Sequence, residues 1–156
     1  MKPTLVIAIS SLVFAAGVAG AQEYSAIKGN LEFFKTMRTK MHNHAENLNA
    51  FSRTSSELDR SVARELYWNA ASLADSLDSV ADLYSLYTVM ETKNDKAEAR
   101  KSLDSSIKHL LSVSNLEIRI VNGEISDARS PAIGSEGEHL RDDIRVLQER
   151  LHRLRY

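Results

Sequence analysis

The chain contains no cysteine, which excludes disulfides, thiolate metal sites, a catalytic thiol, and attachment of haem or lipid through sulfur. Proline occurs only at Pro3 and Pro131, and glycine only six times, so little interrupts a regular helical backbone. No charge of one sign prevails: 20 Lys and Arg face 21 Asp and Glu. Without a large basic patch, no nucleic-acid partner is expected. None of the asparagines stands in the Asn-x-Ser/Thr arrangement that accepts glycans, which favours a bacterial periplasm over a eukaryotic secretory route. After Gln22 every apolar stretch is interrupted by charge, so no later segment is expected to span a membrane.

What is present begins with an export pattern. Lys2 precedes an apolar run from Leu5 through Val18, and Ala19-Gly20-Ala21 supplies the small residues of a cleavage site. The reading is a signal peptide over 1–21, cut after Ala21. The apolar run falls short of the roughly 20 residues that cross a bilayer core, which disfavours a retained anchor. The remaining 22–156, about 135 residues, is the size of one domain that folds without staples. It is expected in the periplasm, or otherwise secreted, with no stable membrane insertion once the signal is removed.

Four segments carry a helical period, which predicts an all-α antiparallel bundle with a long central hairpin and a shorter C-terminal helix. The first runs over about 25–51, with Ile27, Leu31, Phe34, Met41, Ala45 and Leu48 on one face. The second, about 55–91, opens at the capping-box spacing of Thr54 and Glu57. Leu58, Val62, Leu66, Leu73, Leu77, Val80, Tyr84 and Tyr87 form its stripe, flanked by Ala70, Ala74 and Ala81. A short polar break follows, where Asn94 or Asp95 could cap the third helix, about 95–129. Such a short connection makes helices two and three an antiparallel hairpin.

Leu103, Ile107, Leu111, Ser114, Ile118, Val121, Ile125 and Ala128 give helix three a heptad seam. Within it, Leu116, Ile118 and Ile120 alternate with charged residues just before Asn122-Gly123, the pattern of a β-hairpin. Helix is preferred because the heptad continues past Gly123. The segment 130–137 holds Pro131, Gly134 and Gly137 and reads as a loop. Ser135 and Glu138 then repeat the capping-box spacing, and helix four, about 137–155, carries Leu140, Ile144, Leu147, Leu151 and Leu154. At about 1.5–3 kcal/mol per buried aliphatic side chain, that stripe must be covered. Docking onto helices one to three is preferred over pairing with a second chain in a homo-oligomeric coiled coil.

The search for chemistry yields few groups. Glu136 with His139, and Glu149 with His152, have the Glu-x-x-His spacing of four-helix di-iron sites, but both pairs lie in or beside one helix. His42, His44 and Glu46 offer nitrogen and oxygen ligands, and His42 with Glu46, an i, i+4 pair, could share a surface metal, although a solvated helix face is the plainer reading. Met37 or Met41 with His152 could hold a haem, yet methionine at such spacing usually fills a core. No serine sits in a nucleophile elbow and no glycine-rich loop is placed to hold phosphate. No enzyme activity and no cofactor are therefore expected.

The most suggestive feature is on helix two. At 100° per residue, Trp68 lies opposite the buried stripe, in line with Arg64, Asp75, Asp82 and Leu86. Trp and Arg are the residues most enriched at binding hot spots. Asp78 and further acids along this face suggest a cationic partner. The expectation is a non-catalytic module that binds a protein or peptide through Arg64, Trp68, Asp75, Asp78, Asp82 and Leu86, as an adaptor, chaperone-like or inhibitory factor. The alternatives are a haem- or metal-binding bundle and an oligomeric structural coiled coil.

Overall fold

The structure, a computed structural model, describes residues 4–154, with side chains for 24–154; the side chains of the predicted signal segment 1–21 lie outside those described. Four α-helices make up the fold, α1 (Thr4–Thr54), α2 (Glu57–Val89), α3 (Lys93–Asp127) and α4 (Pro131–Arg153), and no strand occurs among the described residues. The β-hairpin alternative at Asn122-Gly123 is absent. None of the described helices is long and apolar enough to cross a membrane.

The helices are joined by breaks of two or three residues, which forces each to run antiparallel to the one before it. Neighbours pack in the cyclic order α1, α2, α3, α4 and back to α1. α2 also approaches α4 across the diagonal, whereas among the described residues the α1 and α3 backbones stay further apart. The cross-section is therefore a diamond whose short diagonal joins α2 to α4.

One contiguous core fills it. Phe34, Met41 and Leu48 from α1, Leu66, Leu73 and Leu77 from α2, Leu110 and Val121 from α3, and Leu140, Ile144 and Leu147 from α4 are almost wholly removed from water. The predicted stripes account for nearly all of these positions. The aliphatic seam of α4 is consumed within the chain, so it presents no apolar stripe to a second copy. One stripe residue departs: Leu58 is 44% exposed. It sits in the first turn of α2, level with the break, and its neighbour Asp59 takes the inward position instead.

The capping signals were misplaced at all three breaks. Thr54 is the last residue of α1, and its hydroxyl donates back to the carbonyls of Ala50 and Phe51. Ser56 is the residue before α2, and its hydroxyl donates to Asp59 Oδ2 at 3.0 Å. Before α3 the cap is Thr92, whose Oγ1 accepts the Asp95 backbone N–H at 3.1 Å, so Asn94 and Asp95 lie inside the helix. Ser135 and Glu138 are mid-helix, because α4 begins at Pro131.

The expected loop over 130–137 is thus two turns of helix. Proline fits the first helical position, where its missing N–H has no partner to lose and its φ is already helical. Among the described residues none has positive φ. The chain turns its corners with extended residues such as Met90, Thr92, Ala128 and Ser130, not with left-handed glycine. Gly137 serves a different purpose. A Cβ there would lie 2.8 Å from Ile125 Cγ1 and 3.3 Å from Leu66 Cδ1, so the missing side chain lets α4 settle against α2 and α3. Gly134 is unconstrained, its nearest neighbour being the Ala128 Cβ at 4.0 Å.

The two glycines should therefore respond oppositely to alanine. Gly134→Ala gains helix propensity and is expected to stabilise by about 0.5–1 kcal/mol. Gly137→Ala gains the same propensity but overpacks a branched side chain at a cost of about 1–3 kcal/mol. Its net effect is a loss of up to about 2 kcal/mol, and urea unfolding of the two variants measures the difference.

Candidate functional site

Three polar constellations stand out from the packing, and each is set by how the helices register. The first joins α1 to α4. His44 projects inward from α1, with Nδ1 2.7 Å from Glu136 Oε1 and Nε2 3.1 Å from Asp143 Oδ2, both on α4. Lys40 Nζ donates to the other oxygen of Asp143 at 2.6 Å, and Asn47 Nδ2 donates to Glu136 at 3.2 Å. Each ring nitrogen thus meets a different carboxylate of α4, which fixes the orientation of the imidazole between the two helices.

That arrangement corrects the metal reading of His42, His44 and Glu46. Residues two apart on a helix face different ways: His42 and Glu46 are exposed, while His44 is buried against α4. The two carboxylates flank the imidazole on opposite sides and do not converge on a point a metal could occupy. Among the described residues no group of three or more His, Asp or Glu is placed to hold a metal ion. The Glu-x-x-His pairs also separate, since Glu136 faces His44 while His139, Glu149 and His152 are exposed. Met37 and Met41 are core side chains and His152 is outside, so the haem-ligand pairing is not assembled.

The second constellation fastens the end of the bundle where α1 meets α2. Asp59 Oδ1 accepts the backbone N–H groups of Arg129 and Ser130, each at 3.0 Å. The carboxylate caps the α3–α4 corner from another helix, and the Ser130 N–H, more than any other contact, holds its pKa below the ordinary aspartate value. Glu117 and Glu124 are shifted the other way. Both lie on α3, both are raised chiefly by burial, and for Glu124 the nearby charges of Glu65 and Asp127 add to the effect.

The third constellation is the outer face of α2. Trp68 is 59% exposed, as its helical angle predicts, and Tyr67 meets it edge to face with centroids 5.0 Å apart. Arg64, Asp75, Asp82 and Leu86 are exposed too. They do not form one patch, since at 1.5 Å per residue Asp75 lies about 10 Å from Trp68 along the axis, and Leu86 about 27 Å. Asp78 is not a free acid, because Arg38 of α1 donates to its Oδ1 at 2.5 Å.

Around the indole the charge has the opposite sign from that expected. An open cleft of about 550 Å³ lies where α1 ends and α2 begins, lined by Arg53, Arg60, Arg64, Tyr67 and Trp68. Asn49 and Ser52 complete its α1 side. Arg60 donates to the Ser55 carbonyl at 3.3 Å, but among the described residues none of the three guanidiniums pairs with a carboxylate. The sequence signal for this cleft is the hairpin itself. Antiparallel helices bring together residues at comparable distances on either side of the break, which puts Arg53 and Arg60 on one cleft just as it sets Asn30 by Tyr84.

No protein-family model matches the chain, and no significant similarity to a curated protein or a solved structure was found. The site must be read from its own geometry.

The titrating groups give a pH profile with two edges. A glutamate whose folded pKa is raised stabilises the fold most when protonated, so the contributions of Glu117 and Glu124 are present below the ordinary value of 4.5 and fade as pH rises through the raised folded values. Asp59 acts inversely: its contribution is present above 3.8 and is lost as pH falls through its lowered value. Glu117→Gln should therefore raise the melting temperature by a few degrees at neutral pH and leave it little changed at mildly acidic pH. Scanning calorimetry at the two pH values checks this.

Proposed function

We infer that this is an exported, non-catalytic helical-bundle protein that binds another protein or peptide through the outer face of α2, with Trp68 as the anchor. The observation that carries the reading is the exposed indole. The chain's only tryptophan stands 59% in water beside an open cleft, on the side of α2 away from its buried stripe. Exposing so much aromatic surface forgoes burial worth about 1.5–3 kcal/mol, a cost recovered when a partner covers it. Export, to a bacterial periplasm or out of the cell, is the reading supported by Lys2, the apolar run Leu5 to Val18 and the Ala19-Gly20-Ala21 end.

The binding surface proposed is Arg64, Trp68 and the residues around them, with Asp75, Asp82 and Leu86 a separate stretch further along α2. Asp78 is assigned to the α1–α2 contact through Arg38. The mode of action is occupancy of a helix face, as an adaptor, chaperone-like or inhibitory factor. Affinity capture from the native envelope tests it by comparing the unaltered protein with Trp68→Ala. Because the side chain is exposed, the variant should keep its circular dichroism and thermal stability, and a hot-spot loss of 2 kcal/mol or more corresponds to about thirtyfold weaker retention. Partners held equally well by Trp68→Ala would overturn the assignment.

A further inference from the structure

The partner's chemistry follows from the charges around the indole. We propose that the cleft between the end of α1 and the start of α2 binds an acidic peptide segment, with Arg53, Arg60 and Arg64 pairing its carboxylates and Trp68 covering an apolar side chain. The inference rests on the reading of Trp68 as a binding anchor and adds the sign of what binds there.

Three observations converge. The first is that among the described residues these arginines make no ion pair, whereas Arg38 pairs with Asp78 across the α1–α2 contact and Lys40 with Asp143 across the α1–α4 contact. Here three guanidiniums stand around one cleft with no carboxylate paired to them among the described residues.

The second is that the grouping is unfavourable to the folded chain by itself. Arg60 and Arg64 are an i, i+4 pair of like charge, and Arg60 stands in the first turn of α2, where the helix dipole disfavours a cation. Nearby acids do not relieve them. Glu57 makes no ion pair, and Glu65 is close enough to Glu124 on α3 to raise its pKa, which places its charge at the α2–α3 contact. A bound anion removes the repulsion that the chain leaves standing.

The third is shape. The cleft, about 550 Å³, is concave and of the size that holds a few residues of a peptide. Guanidinium groups give planar, paired donors suited to carboxylates, and an indole face accepts an apolar or aromatic side chain. A nucleic acid fits less well, because its continuous backbone would have to pass Asp75 and Asp82 on the same face of α2.

The test uses the full purified chain and its only tryptophan as reporter. A short Asp/Glu peptide with one central Phe, its Lys counterpart with the same Phe, and a single-stranded oligonucleotide are titrated while Trp68 emission is followed. The acidic peptide should bind saturably, lose affinity as salt rises, and outbind both others. Arg60→Gln with Arg64→Gln should weaken it by about tenfold or more with the helical spectrum retained. Without any ligand, iodide should quench Trp68 better than caesium, and the double variant should narrow that gap. Stronger binding of the Lys peptide or the oligonucleotide, no binding of any probe, or an acidic-peptide affinity untouched by the double variant each overturns the proposal. A native partner still lost on Trp68→Ala while the acidic peptide fails leaves the Trp68 surface standing and removes only its assigned charge. Retained native partners with acidic-peptide binding intact would do the reverse.

Discussion

The close approach of α4 to α2 is the constraint on which the rest of the bundle depends. In a chain with no cysteine to cross-link it, cohesion comes from aliphatic side chains meeting in one core, and α4 settles closely against α2 and α3 where it carries no Cβ. At Gly137 the side chains of Leu66 and Ile125 occupy the space that any other residue would claim. From this contact the seam Leu140, Ile144, Leu147 and Leu151 runs on fully buried. α1 and α3 are left apart at the two far corners of the diamond.

Polar groups then refine what packing permits. Apolar stripes attract without direction, so they do not by themselves fix the ends of the helices or the register between them. Asp59 ties the start of α2 to the α3–α4 corner through two backbone N–H groups. The His44 bridge sets α4 against α1 through its two carboxylates. At the opposite end, Arg150 donates to Asn30 Oδ1 at 2.6 Å and lies over the Phe33 ring, while Asn30 donates to the Tyr84 hydroxyl at 3.3 Å. Each of these contacts ties one helix to another or to the corner between two others, and Tyr84 is the one member of them that also belongs to a predicted stripe.

The outer face of α2 is what remains once those demands are met. Its acids divide between one that α1 takes up, Asp78, and others left to solvent, while the arginines at the hairpin corner are left without acids. The difference arises from neighbours, not from composition: Arg38 happens to stand level with Asp78, whereas the residue level with Arg60 is another arginine, Arg53. A face that looks uniformly acidic along one helix is therefore cationic at its tryptophan end.

The sequence by itself determined the all-α class, the four helices, most core positions and the outward direction of Trp68. These follow from a period of 3.6 residues, which acts within a single element and needs no knowledge of its neighbours. The helix starts were illegible, because several Ser and Thr residues near each break could cap and only the backbone path selects among them. Pro131 and Gly137 were misread as loop signals for a related reason: proline is as much at home in a first helical turn, and a glycine can be required by the helix packed against it. Tertiary structure alone decided the His44 bridge, the Asp59 cap and the basic cleft, whose members lie on different helices. Their chemistry depends on distances that arise only when water drives those helices together.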